Sequence, residues 1–468
     1  MATGTRRLLE DPIVPTLLRL AAPNVVVMAI QAVVSAAEAV FVGWLGPEAL
    51  AGVSLVFPLI MLMQTMSAGG MGGGVASAVA RALGAGRRQD ADALAWHALL
   101  IAVAMGALFT TGALWSGPLL YRALGGIGAA LTAALAYSNV VFAGAIAFWV
   151  FNILASVVRG AGNMLLPAGI VVGGAAVTLS FSPALIVGWG PLPRLGVVGA
   201  ATALVTYYTA GSLVLLGYLA SGQSLVRLSV AGLRIRWALL WDILRVGLPG
   251  SLNTIQANLT VVLLTGLVGP FGTFALAGYG MGARLEYLQI PLVFGLGSAL
   301  VTMVGTNVGA GQVARAQRIA WLGAAMAGAV TGGIGLAAAV FPRAWLGLFS
   351  QHPDVLGVGT TYLHRVGPAY GFMGLGLALY FASQGTGRVL WPLVAGFGRL
   401  LTAAVGGWLA IHWLGGSLPG LFLAIALSLA VFGMTVAVAI GADAWGSRGA
   451  IIQTAPEAAR RDRSPVTG

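Results

Sequence analysis

"RGAGNMLLP", residues 159–167, closes one long apolar run and opens the next, and 225 residues later "QGTGRVLWP" (384–392) does the same. The same offset relates "LGAGRRQDA" (83–91) to "VGAGQVARA" (308–316). Offsets within a few residues of it relate "LLRLAAP" (17–23) to "ILRVGLP" (243–249) and "LGPEALAG" (45–52) to "VGPFGTFALAG" (268–278). Four pairs in one order and one register identify a chain built twice from a single unit.

Composition says what the unit is made for. Of 468 residues, 59% are hydrophobic and 8% charged, with mean hydropathy +0.94. A soluble domain carries about 25% charged residues, so the chain reads as a membrane protein. The 70 glycines suit helices that pack closely in lipid. A spanning helix needs about 20 apolar residues. Twelve candidates stand at about 17–45, 50–82, 92–115, 128–156, 165–190, 197–220, 239–268, 273–308, 317–341, 357–384, 390–414 and 420–442. The first is too long for a signal-peptide core and reads as a retained span.

Six spans per unit is an even number, so both units enter the bilayer from one side and are related by an axis along its normal. The predicted fold is all-α: a polytopic membrane protein with 12 transmembrane helices in two parallel-repeat six-helix lobes. Residues 1–220 form the first lobe, 221–237 a polar linker, 238–445 the second lobe and 446–468 a polar, disordered tail.

The net charge of +12 is carried by arginine alone, since the chain has no lysine. The arginines cluster between apolar runs, as Arg6/Arg7, Arg81/Arg87/Arg88, Arg227/Arg234/Arg236, Arg315/Arg318 and Arg460/Arg461/Arg463, and alternate loops hold single ones such as Arg122, Arg194 and Arg343. That pattern is the positive-inside rule. It places both termini in the cytoplasm of a cell inner membrane and argues against nucleic acid as a partner. The absence of cysteine excludes disulfides and thiol chemistry, and four scattered histidines give no zinc spacing. We expect no metal and no cofactor. No nucleophile–base set converges at one depth, so the chain is not read as an enzyme.

Glu38 stands inside the first span. Asn24, Gln31 and Glu38 are spaced by seven, and Ser35 lies three before Glu38. A seven-residue step returns to within about 20° of its start on a helix, so all four share one face, directed at the protein interior or a watery cavity. An ionised carboxylate in lipid costs at least about 2.5–3.5 kcal/mol, and burial favours the neutral form. Such a group can take a proton from one compartment and release it to the other; a Glu held neutral for packing is the alternative. At the same offset Gln31 has a counterpart in Gln256, whereas Glu38 meets Leu263 or Leu264. Asn253, Gln256 and Thr260 share a face of the seventh span, suited to substrate contact or to interhelical hydrogen bonds.

On the eighth span, Tyr279, Gly282, Glu286 and Gln289 share a face. Glu286 should lie about 20 Å below the outer end of its helix, near mid-membrane. It reads as a second proton carrier, an attractor of cationic substrate or a member of a structural ion pair. Arg284, two residues away, points elsewhere and is not its partner. Pro23, Pro249 and "SAGGMGGG" (67–74) mark places of hinging or of packing relief.

"VFVGWLGPEALAG" after a carboxylate, "LGAG" closing the second span, "RGAGN" closing the fourth and "VGTNVGAG" closing the eighth resemble the multidrug and toxic compound extrusion (MATE) family over about residues 17–442. The resemblance implies two six-helix lobes forming a V around a central cavity. It also implies a secondary active transporter that exports small organic, often cationic, compounds by alternating access, in exchange for protons or Na⁺. Most of the family has Asp where Glu38 stands. One branch carries a Glu near Gln256 or Ala257, absent here. Another pairs the first-span carboxylate with Asn and Asp on the fifth span, where this chain has Thr178 and Ser182. Losing those strong cation ligands favours proton coupling over Na⁺. A flippase for lipid-linked precursors, from the same superfamily, is the alternative function. The expected partners are small organic substrates and the lipid bilayer, and the expected state is a monomer.

Overall fold

A computed structural model describes residues 3–189, 192–228, 235–413, 417–442 and 445. The tail expected after residue 445 and linker residues 229–234 lie outside the described residues. Eleven helices are long and apolar enough to cross a membrane, and a bent pair counted as one span brings the number to twelve. We label them α1 (Ile13–Gly43), α2 (Pro47–Gly84), α3 (Arg88–Ala123), α4 (Gly128–Ala143 with Ala145–Gly160), α5 (Leu165–Val187), α6 (Val197–Ala220), α7 (Trp237–Phe271), α8 (Thr273–Gly309), α9 (Val313–Val340), α10 (Pro353–Thr386), α11 (Leu390–His412) and α12 (Leu418–Gly441). Helix is the only open-ended element that satisfies its own backbone in lipid, and the twelve predicted spans coincide with these. Two short helices, Thr3–Glu10 and Pro342–Leu346, lie outside that count.

Local departures have local causes. The halves of α4 meet at 50°, where Gly144 packs so tightly against Val205 that a methyl on it would come within 2.6 Å of the valine. In α2, Met66–Met71 forms a π-helical turn inside the glycine run, since glycine has little helical preference to lose. The run also brings backbones together. A methyl on Gly70 would lie 2.7 Å from the Ser251 backbone, and one on Gly74 would lie 2.7 Å from the Ile243 carbonyl, both on α7.

The sequence repeat is a repeat of packing. Within the first lobe α1 packs on α5, α5 on α6, α3 on α4, α2 on α4 and α4 on α6; within the second, α7 on α11, α11 on α12, α9 on α10, α8 on α10 and α10 on α12 repeat that set six helices on. Across the lobes α1 meets α8, α2 meets α7, and α2 meets α8. The last crossing lies on the pseudo-twofold axis. A methyl on Gly84 would strike the carbonyl of Thr306, and a methyl on Gly309 would strike the carbonyl of Arg81. Gly84 with Gly309, and Arg81 with Thr306, are repeat mates 225 apart.

Around that crossing the lobes are latched. The buried guanidinium of Arg81 pairs with Asp242 of α7 at 3.0 Å, and Asp242 also pairs with Arg245. Arg81 donates to the Ser77 hydroxyl and, at 3.2 Å, to the Gly385 carbonyl, while Ser77 donates to the Gln384 carbonyl. Thr302 of α8 donates to the Arg159 carbonyl of α4 at 3.0 Å. The Asn307 amide reaches the Leu8 carbonyl of the N-terminal helix at 3.1 Å. The arginine-rich segments gather at this end: Arg236 pairs with Asp90 at 2.8 Å, the Arg227 amide donates to Asp92 at 2.7 Å, and Arg88 donates to the Leu225 carbonyl at 3.1 Å.

Since the chain has no cysteine, Thr306→Cys places a single thiol at a buried site between α2 and α8. Gly84→Ala and Gly309→Ala should each raise its rate of maleimide labelling by about tenfold, the population change expected for about 1.4 kcal/mol of lost closure. The two variants should agree within about twofold, because they are related by the axis. Asp242→Asn, which leaves Arg81 without its carboxylate, should act in the same direction.

Candidate functional site

The polar stripe of α1 divides in the folded chain. Asn24 is buried, and its amide donates to the Leu20 carbonyl of its own helix at 3.2 Å. Gln31 is half-buried and Ser35 exposed. Glu38 meets α5: the Ser182 hydroxyl, fully buried, donates to Glu38 Oε2 at 3.0 Å. Thr178, one turn earlier on α5, is buried as well. Tyr137 of α4 lies within electrostatic range of the carboxylate. The structure therefore brings together Glu38 and Ser182 and leaves Asn24 bonded within α1.

The other oxygen of the carboxylate, Glu38 Oε1, is buried with no hydrogen-bond partner. An ionised carboxylate offers about four acceptor positions, and a buried acceptor left unmade is costly. A proton on this group removes the charge and turns one oxygen into a donor. The arrangement is thus a carboxylate held in place by one neutral donor, with its second oxygen free for a proton.

In the second lobe α8 and α11 are joined by an ion pair, Glu286 Oε1 to the Arg399 guanidinium at 2.8 Å. The partner that the sequence left open for Glu286 is on another helix. Arg284, as expected, points away and lies over the Phe349 ring at 5.5 Å. Gln289, one turn below Glu286, donates to the Leu285 carbonyl at 3.2 Å, and its Oε1 is buried without a partner. Gln256 of α7 is buried with both amide atoms unpartnered. Thr260 returns its hydroxyl to the Gln256 carbonyl at 2.9 Å. Half-buried Asn253 and Gln256 both face Gly396 of α11, where a methyl would lie 2.5 Å and 2.7 Å from their amide oxygens. Tyr279 packs edge-on against Tyr362, which packs edge-on against Phe422.

Sequence reasoning missed Arg399, although its signal was present: it is the only arginine in α11, and an ionisable residue inside a span marks a site by default. Tyr137 carries no such signal, because an aromatic residue in an apolar run reads as packing.

The MatE family profile matches residues 23–184 and 249–409, one segment in each half. A FAD transporter of Shewanella oneidensis is 28% identical over 84% of this chain and 87% of its own length. A probable multidrug resistance protein NorM of Deinococcus radiodurans is 30% identical over 73% of this chain and 75% of its own. Among solved structures, a MATE in the bent conformation superposes with TM-score 0.89 at 24% identity, covering 97% of this chain and all of the other. A multidrug resistance MATE family transporter in an outward-facing conformation superposes with TM-score 0.86 at 25% identity, covering 97% and 99%.

The Glu38–Ser182 contact is testable by a double-mutant cycle on thermal unfolding. Ser182→Ala in the parent should lower stability by about 1–3 kcal/mol, the range for a hydrogen bond to a charged or buried group. In the Glu38→Ala background the same change should cost markedly less, leaving a coupling of about 0.5–3 kcal/mol. Additive losses would show that the two side chains do not act together.

Proposed function

The chain belongs to the MatE family, and on that premise we propose that it exports small organic compounds in exchange for protons, with Glu38 as the proton carrier. The observation that carries this reading is the half-satisfied carboxylate of Glu38 inside a membrane span. Relatives whose names record multidrug resistance or FAD transport support small organic molecules as the substrate class.

The positive-inside rule assigns the arginine-rich end to the cytoplasm. A latch closed at that end shuts the inner side, which corresponds to the outward-reachable state of the proposed cycle. Export requires the latch to open and the outer halves to close. In the outward-reachable state Glu38 can take a proton from the exterior, and neutralising it removes the charge that opposes burial. In the inward-reachable state the proton leaves to a more alkaline cytoplasm. One proton entering down 100 mV supplies about 2.3 kcal/mol, and each pH unit adds about 1.4 kcal/mol. Together these sustain an outward gradient of several hundredfold for a neutral substrate.

Protons are favoured over Na⁺ by the donor set. Na⁺, like other hard cations, prefers several oxygen ligands, carboxylates foremost. Beside Glu38 the α5 positions hold Ser182 and Thr178, both neutral, and the Ser182 hydroxyl points its proton at the carboxylate.

Purified protein in vesicles with an imposed pH gradient, acid on the side that the arginine-poor end faces, should drive dye movement towards that side. An equal Na⁺ gradient should not. Glu38→Gln should insert and fold normally yet lose at least about 90% of pH-driven transport, the scale expected when a step loses its essential acid. Undiminished transport in that variant, or driving by Na⁺ alone, would contradict the proposal.

A further inference from the structure

The ion pair between α8 and α11 is poorly explained by stability. Two opposite charges inside a membrane lobe replace what an apolar pair would do as well or better, since the loss of hydration offsets their attraction. The pair is also under-bonded. A guanidinium has five donors in a rigid fork. Arg399 uses one of its terminal nitrogens on Glu286, while its Nε is buried with no partner. The side chains of Glu286 and Arg399 keep 14% and 18% of their surface accessible, so one edge of the pair is open.

Around it stand further groups with unused bonding capacity. Gln256, 4% exposed, has neither amide atom bonded, and Gln289, 1% exposed, has a bare Oε1. Gln256 faces Gly396, one helical turn from Arg399, and Gln289 lies one turn from Glu286. Buried polar atoms are nearly always bonded, and this concentration of unbonded ones beside an unsaturated guanidinium is what a ligand would complete. Tyr279 and Tyr362 lie within electrostatic range of Glu286 and supply an aromatic wall.

We propose that this cluster is a second binding site, for a small zwitterionic organic compound carrying a carboxylate and a cationic nitrogen. The ligand carboxylate takes two guanidinium donors of Arg399, the bidentate geometry that Arg favours. The cationic nitrogen takes the place of Arg399 on Glu286. Each protein charge exchanges one partner for another, so no net charge is buried and no additional proton is needed. A singly charged cation would satisfy Glu286 and strand Arg399; a singly charged anion would do the reverse. Gln256 and Gln289 bond the ligand's polar groups, and the tyrosines cover its apolar body. The assignment takes export of organic compounds as its setting and names which class of them the second lobe selects.

The probes are rhodamine 110, a zwitterion with a free carboxylate, and its methyl ester rhodamine 123, a cation with the same ring system. Equilibrium binding to the purified full-length protein is read by fluorescence anisotropy without any ion gradient. The parent should bind the free acid about tenfold or more tightly than the ester, the effect of one charge-assisted contact. In Arg399→Gln the ratio should fall below one, because Glu286 alone pairs with the cationic ester and nothing receives the free acid's carboxylate. The double variant Glu286→Gln with Arg399→Gln removes both charges together and leaves neither stranded; it should show a ratio of about one. A parent ratio near one, a preference for the ester, binding of neither dye, or a preference that survives in the double variant would each overturn the assignment. Because the measurement uses no gradient, its failure leaves the Glu38 coupling reading intact. Conversely, Glu38→Gln vesicles that still pump would refute the coupling without altering the dye ratio.

Discussion

The structure depends on the crossing of α2 over α8, where Gly84 and Gly309 each admit the backbone carbonyl of the opposite helix. Two helices normally stand about 8–10 Å apart, according to the side chains between them. Here no side chain intervenes at the two contact points, and the carbonyls of Thr306 and Arg81 occupy the space a Cβ would take. The hydrophobic effect offers little drive for helix association within lipid, so close packing and hydrogen bonds must provide it. Glycines that permit backbone approach are then the main means of joining the lobes, and the latch of Ser77, Arg81, Asp242, Gln384 and Gly385 surrounds them. This accounts for the "GAG" sequences that close both spans. They are a pair of complementary surfaces, duplicated because the axis requires each lobe to supply one.

Duplication preserved the packing and let the polar content diverge. Helix pairings repeat six helices apart, yet Glu38, Glu286 and Arg399 do not. Glu38 has a leucine at its repeat position, Glu286 corresponds to Met61, and Arg399 corresponds to Gly174. The first lobe therefore holds a lone carboxylate with one neutral donor, and the second holds a compensated pair. These are different electrostatic environments with different capacities. A lone buried carboxylate changes charge state at modest cost. A carboxylate facing a guanidinium at 2.8 Å already has a partner for its charge. It serves better as half of a recognition site. Of the readings offered for Glu286, the ion pair is the one this geometry matches.

Much of the fold was legible in the sequence because membrane spans obey few constraints: about 20 apolar residues, internal backbone bonding and arginine at one set of ends. All twelve spans were found, and the repeat fixed their grouping. What escaped depended on contacts between distant segments. The bend of α4 falls at Gly144, where the helix packs closely on Val205 of another helix. The Glu286 partner was on α11, and helical geometry could exclude Arg284 but could not supply Arg399. The glycines of "SAGGMGGG" read, in the sequence, as a place of hinging or of packing relief in α2. The π-helical turn agrees with that, but close approach of α7 at Gly70 and Gly74 is an equal part of their role. In the candidate site, periodicity placed Asn24, Gln31, Ser35 and Glu38 on one side of α1. It could not tell which of them would meet α5. Only Glu38 is hydrogen-bonded there, because Asn24 had a carbonyl within its own helix to bond.

Coupling between the two lobes also follows from where their contacts lie. The described hydrogen bonds and ion pairs between lobes gather around the glycine crossing at the arginine-rich end, and Glu38 is about five-sixths of the way along α1, towards the opposite end. A change of charge there acts on a part of the first lobe that the latch does not hold directly. Along α1 between the two lie Pro23, inside the continuous helix, and the contact of Val25 with Gly295 of α8. A proline inside a helix removes one backbone hydrogen bond. In the proposed cycle the proton site and the latch therefore stand towards opposite ends of α1, with the Val25–Gly295 contact between the lobes lying between them.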